Sequence, residues 1–178
     1  MLSRSHLRIL VVCGITLIFL LTASVLAQDR PIEDGWRGIK VFQTKRADIE
    51  KLFAEKPIQN ENAMRFSSEE DVIEVIFSGT PCTLSSKGTI FYNFEKDTVI
   101  SYSVGLLKPI LVSQLKWLKK GYDRWEDNYH RVNVNYRNET IGVDVNVLID
   151  RSSGVEEVFG FRFYPPKGKE FANSCKPK

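Results

Sequence analysis

His130-Arg131-Val132-Asn133-Val134-Asn135-Tyr136, then Thr140-Ile141-Gly142-Val143-Asp144-Val145-Asn146-Val147-Leu148-Ile149, then Val155–Tyr164 are runs in which apolar and polar residues alternate. A period of two marks a half-buried β-strand, because successive side chains leave a strand on opposite faces. Val132, Val134 and Tyr136 share one face. Ile141, Val143, Val145, Val147 and Ile149 share one face of the second run, and Phe159, Phe161 and Phe163 of the third run join the same apolar side. With Asn138-Glu139 as a two-residue loop, Tyr136 faces Ile141, Val134 faces Val143 and Val132 faces Val145. Every apolar partner lands on one side, as register demands. Asp150 to Gly154 supplies the next turn, and Pro165-Pro166 ends the sheet.

Upstream, Thr44 is a helix N-cap, and Ile49, Leu52 and Phe53 recur at helical spacing behind it. The spacing predicts one amphipathic helix, about Lys45 to Glu55, stopped by Pro57. Four strand-like runs follow: Ala63–Phe66, Val72–Phe77, Thr89–Phe94 and Thr98–Val104. Pro109 suits the first turn of a second helix running to about Lys120, with Leu111, Leu115 and Leu118 on one side and Gly121 as the stop. The order is helix then meander, given twice, about 44–104 and about 109–164. The expected fold class is therefore α+β: an antiparallel meander sheet with helices on one face, two helix-plus-meander units in one domain.

Met1 to Ala27 reads as a secretory signal. Arg4 and Arg8 precede a stretch from Ile9 to Gln28 without charge, and Val25 and Ala27 stand at the −3 and −1 positions of a cleavage site. The alternative is an uncleaved membrane anchor. Residues 28–178 then form a single domain in the periplasm or outside the cell. Removing 1–27 takes Lys+Arg from 25 to 23 against 22 Asp+Glu, leaving a net charge of +1. That balance gives no basic footprint for nucleic acid.

Cys13 leaves with the signal. Cys82 and Cys175 remain, and two leftover thiols in an oxidising compartment pair as a structural disulfide. A metal site is the alternative, but His130 is the only histidine of the mature chain. No cofactor or metal is expected. The chain has no G-x-S-x-G, H-E-x-x-H, phosphate loop or G-x-G-x-x-G. His130 opens a strand in a polar context and reads as a surface residue. The pairs Glu69-Glu70, Glu126-Asp127 and Glu156-Glu157 read as solvated turns and edges, since neighbours on a strand face opposite ways. The rings of Trp117, Tyr122, Trp125 and Tyr129 seal helix against sheet or, alternatively, form a binding loop.

The face opposite the apolar one carries Arg131, Asn133 and Asn135 on the first strand, Asp144 and Asn146 on the second, and Gly160 and Arg162 on the third. The register sets Asn133 beside Asp144, with Arg162 diagonal to it. This is either the wet outside of the sheet or a face that binds a protein or an envelope polysaccharide. Asn138-Glu139-Thr140 is also a glycosylation sequon, of consequence only in a eukaryotic source.

Gly35-Trp36-Arg37-Gly38-Ile39, Thr44-Lys45-Arg46-Ala47-Asp48-Ile49-Glu50, Gly79-Thr80-Pro81-Cys82 and a C-terminal Cys together resemble a family of exported bacterial proteins found in soil bacteria such as the acidobacteria. Its pattern reads W-R-G-I, S/T-x-R-A-D-V-E and G-P-C. This chain departs from it at the inserted Thr80, and it has Glu55-Lys56-Pro57 in place of G-x-P. The resemblance spans most of the mature chain and implies no activity. The order of elements is also similar to the tandem fold of beta-lactamase-inhibitor-like proteins and the outer-membrane assembly lipoprotein E, an analogy of fold alone. The expected function is a non-catalytic interaction module of the cell envelope. The alternative is a small extracytoplasmic hydrolase or carbohydrate-active enzyme using carboxylates.

Pairing of Cys82 with Cys175 closes a long loop, worth roughly 4–5 kcal/mol in the loop-entropy model. Thiol titration of the unreduced, denatured mature protein is expected to find no free thiol; two free thiols refute the pairing.

Overall fold

Among the described residues, the alternating runs and two short exposed strands assemble into one eight-stranded antiparallel sheet of order β1-β2-β3-β4-β8-β7-β6-β5. Its strands are β1 (Ile58–Asn60), β2 (Ala63–Ser67), β3 (Asp71–Phe77), β4 (Val99–Leu111), β5 (Asp123–Glu126), β6 (Asn133–Asn138), β7 (Val143–Ile149) and β8 (Glu156–Phe163). The computed structural model describes residues 32–53, 56–81, 93–126, 133–169 and 175. One α-helix, α1 (Arg46–Leu52), is present among the described residues, with 3₁₀ turns at Ile32–Asp34, Trp36–Gly38, Val112–Gln114 and Lys116–Lys119. None of their helices is long and apolar enough to cross a membrane.

One face of the sheet is a continuous apolar surface. Met64 pairs with Val75, Val75 with Tyr102, Tyr102 with Phe163 and Phe163 with Val143. The next row runs Phe66, Ile73, Val104, Phe161, Val145 and Tyr136. The antiparallel meander expected from the alternation is therefore present. What covers it differs from expectation. The stretch from 109 to 120 is not an α-helix. β4 continues to Leu111, and Pro109 sits where the β4–β8 register breaks, so its missing N–H interrupts no ladder bond there. Val112, Leu115 and Leu118 are all buried and recur every three residues, the period of a 3₁₀ turn. The Leu115 and Leu118 N–H groups donate to the Val112 and Leu115 carbonyls at 3.0 Å.

The first helix is shorter than expected. Its N-cap is Lys45, whose N–H donates to Asp48 at 3.2 Å, while Thr44 Oγ1 accepts from Lys40 N–H at 2.9 Å and closes the preceding turn. Ile49 is buried, Phe53 stacks on Phe66 at 4.1 Å, and Leu52 is exposed. Of the expected strand Thr89–Phe94, residues 89–92 lie outside the described residues, and Asn93 and Phe94 are not in a strand.

The hairpin register is corrected too. Asn138 pairs with Val143, so the β6–β7 connection is 139–142 rather than Asn138-Glu139. Gly142 (φ +72°) is why: a Cβ there would lie 2.0 Å from the Tyr164 carbonyl oxygen. Val134 then faces Val147, and Tyr136 faces Val145. The displacement is four residues, an even number, so each side chain keeps its face. In β8, Val158 rather than Phe159 takes the core position opposite Val147, with a bulge beside it.

The layer over the apolar face is held by polar pins. Asp71 is 1% exposed. Trp36 Nε1 donates to its Oδ2 at 2.7 Å, Arg37 Nε to Oδ2 at 3.1 Å and Ser68 Oγ to Oδ1 at 2.7 Å. The Tyr102 hydroxyl accepts from Trp36 N–H and donates to the Ile39 carbonyl. Trp36 itself stacks on Phe161, with ring centroids 5.2 Å apart. Arg46 is the second pin: it lies 4.3 Å over the Phe77 ring and donates to Asp97 at 2.8 Å. Asp71→Ala strands the Arg37 charge and the indole N–H. It is expected to cost about 3 kcal/mol in urea unfolding; a loss under about 1 kcal/mol refutes the pin.

Candidate functional site

The face opposite the core is crossed by two rows of side chains. The first runs Arg65, Glu74, Ser103, Arg162, Asp144, Arg137 and Asp123, one residue from each strand from β2 to β5 in sheet order. The second runs Ser67, Val72, Gly105, Gly160, Asn146, Asn135 and Trp125. Each member stands directly opposite the next, within reach of cross-strand interaction.

Asp144 is the hub of the first row. Arg137 grips it with a fork, Nε to Oδ1 at 2.9 Å and Nη2 to Oδ2 at 3.3 Å, and the Tyr164 hydroxyl donates to Oδ1 at 3.0 Å. The hydrogen bond to Asp144 raises the Arg137 pKa. Burial, followed by the Asp144 charge, pushes the Tyr164 phenol well above its ordinary value. The Arg137 guanidinium also lies 5.5 Å from the Trp125 ring centroid. Trp125 is 60% exposed.

The sequence candidates divide as follows. Arg131 lies outside the described residues. Asn133 stands opposite Leu148, not beside Asp144. Asn135 faces Asn146, and Arg162 faces Asp144 directly rather than diagonally. The side-chain amides of Asn135 and Asn146 have no hydrogen-bond partner among the described residues. Arg162 has no ion pair among them, only Tyr164 under its guanidinium at 6.0 Å. Arg137 and Tyr164 are not among the sequence candidates, and Trp125 is, as one of the rings of the alternative binding loop. Arg137 continues the alternation after Asn135, and the misplaced turn hid it. Trp117 and Tyr122 pack against the core, whereas Trp125 faces out from β5; Tyr129 and His130 lie outside the described residues. Cys175 is disulfide-bonded, and Cys82 is outside the described residues, so their pairing stands as a proposal.

Two cavities lie away from this face. The larger, about 460 Å³, sits between residues 32–43 and the β6–β7 turn and has no carboxylate in its lining. The other, about 380 Å³, has one, Asp48, which already accepts from the helix N-cap. Neither presents the two facing carboxylates that acid–base hydrolysis needs. Among the described residues no three His, Cys, Asp or Glu side chains gather as metal ligands would. Glu156 is engaged by Arg124 and by the Tyr136 hydroxyl at the edge of the core, and Glu157 is exposed on the other face.

No family model matches the chain. No curated protein sequence and no solved structure matches it at a significant level either.

Burial also raises the Tyr102 phenol well above its ordinary value, and the raised Tyr102 and Tyr164 phenols carry a pH prediction. Between the ordinary tyrosine value of about 10 and their own, the unfolded chain gives up protons that the folded chain keeps. Stability present below pH about 10 is then lost as pH rises. Spectrophotometric titration is expected to show late-ionising tyrosines, one of which moves to lower pH in Asp144→Asn. Uniform titration at the ordinary value contradicts the assignment.

Proposed function

We propose that this chain is an exported, non-catalytic interaction module of the cell envelope, periplasmic or secreted, and that the open sheet face is its binding surface. One observation carries the reading: Asn135, Asn146 and Arg162 have no side-chain hydrogen bond or ion pair among the described residues and stand near an exposed Trp125. The Arg137–Asp144–Tyr164 cluster holds the strands beneath them in place. Groups presented on a rigid sheet lose little entropy on binding. The N-terminal signal supports an exported location, and a Cys82–Cys175 disulfide suits that compartment.

The motifs shared with the exported bacterial family fit the same view. Trp36 and Arg37 meet buried Asp71, and Arg46 meets Asp97 and Phe77. Membership in that family is part of the same proposal, as a shared scaffold with no shared site implied.

The test is a pull-down from the native envelope fraction, with wild type and with Asn135, Asn146 and Arg162 all changed to Ala. These side chains are not core residues, so the variant is expected to melt within about 1 kcal/mol of wild type. Partners held by wild type and lost by the variant support the face. The same partners on both refute it.

A further inference from the structure

The open face also indicates what kind of molecule it holds; this step rests on the binding-face reading above. We propose that the strip Trp125–Asn135–Asn146–Gly160, with Arg162 beside it, binds a polysaccharide bearing carboxylate groups.

The strip is nearly devoid of apolar side chains. Trp125, Asn135, Asn146 and Gly160 face one another in turn across β5, β6, β7 and β8. At the usual strand spacing that is a line about 14 Å long. A protein partner would want an apolar centre to its interface, and here the exposed large apolar groups, Trp125 at one end and Leu148 to one side of Asn146, flank the strip and do not fill it. A sugar chain suits the strip better. An indole face packs against the flat apolar side of a ring while the ring's hydroxyls stay at its rim. Each amide both donates and accepts, as each hydroxyl does. The two amides have no partner of their own among the described residues, so binding breaks no internal bond.

The glycine keeps the line open. A Cβ on Gly160 would lie 2.5 Å from the Val104 carbonyl oxygen, and Gly105 stands opposite it. No side chain therefore rises between Asn146 and the centre of the sheet.

Charge selects the class of glycan. Asp144 is neutralised by the Arg137 fork, whereas Arg162, directly opposite it, has no ion pair among the described residues. Of the other exposed carboxylates in this row, Glu74 is two strands from Arg162, and Asp123 is three strands from it, on β5 beside the Trp125 end of the strip. Arg162 is thus the cation beside the strip without an ion pair among the described residues, while Glu157 is exposed on β8 on the strip's other side, and a carboxylate on the sugar seated against Arg162 is its complement.

The test is a printed panel of uronic-acid, sialylated and muramic-acid-bearing glycans beside neutral ones, followed by calorimetry on the best ligand with the purified protein. Wild type is expected to prefer the acidic set. Trp125→Ala is expected to lose about tenfold in affinity, and Trp125→Phe to recover part of it. Arg162→Ala is expected to abolish the preference for acidic over neutral glycans. Thermal melts confirm that the variants are folded. No binding on the panel overturns the proposal, as does binding indifferent to Trp125→Ala or an acidic preference that survives Arg162→Ala. If the panel is blank while the envelope pull-down still depends on Asn135, Asn146 and Arg162, the glycan falls and the binding face stands, with a protein as its partner. If neither responds, both fall.

Discussion

Burying the Asp71 carboxylate at the start of β3 costs several kcal/mol unless donors meet it, and Trp36, Arg37 and Ser68 meet it. The rest of the structure follows from that demand. The donors come from residues 36–37, so the segment before α1 is drawn down onto the sheet. Once there, Trp36 lies on Phe161, and the Tyr102 hydroxyl ties the backbone on both sides of the turn. α1 spans only Arg46–Leu52 and is too short to hold itself together. The covering layer is therefore fixed by hydrogen bonds to the sheet rather than by packing of long helices.

The open face depends on parity. A sheet side chain changes face when its strand slips by one residue and keeps it when the slip is even. The β6–β7 connection differs from the simplest alternating hairpin by an even displacement, so Asp144 and the asparagines remain on the same side. Their partners change completely. Arg137 comes opposite Asp144 and forms the fork that anchors the whole row. The chemistry of the face is therefore set by the turn, and the turn by the close approach of Gly142 to Tyr164.

The sequence made the sheet legible wherever one face is buried and the other wet. β2, β3, β4, β6, β7 and β8 all show that alternation. β1 and β5 were invisible because all their residues are exposed, leaving no contrast to read. The stretch from 112 to 118 has apolar spacing of three and four in its letters, and burial, which the letters do not show, picks out the three. Asp144 and Arg162 were legible as members of one face. The fork was not, because it needed the correct loop length, and Trp125 was ambiguous because an aromatic beside turns serves core and surface equally well. The W-R-G-I stretch is visible in the sequence as a pattern, but its meaning lies in Asp71, a residue the pattern does not contain.

The last described strand, β8, does not lie at an edge. It pairs with β4 on one side and β7 on the other, at the middle of the sheet. Until Glu156–Phe163 arrives, the two meanders have no shared boundary, and Phe161 and Phe163 are missing from under Trp36 and Tyr102. The contact that completes the core thus joins residues far apart in sequence, the arrangement that slows folding most. In a growing chain the inner edge of β4 stays bare from Leu111 until Glu156–Phe163 follows. The time spent in that state, rather than the strength of the finished fold, sets its exposure to aggregation.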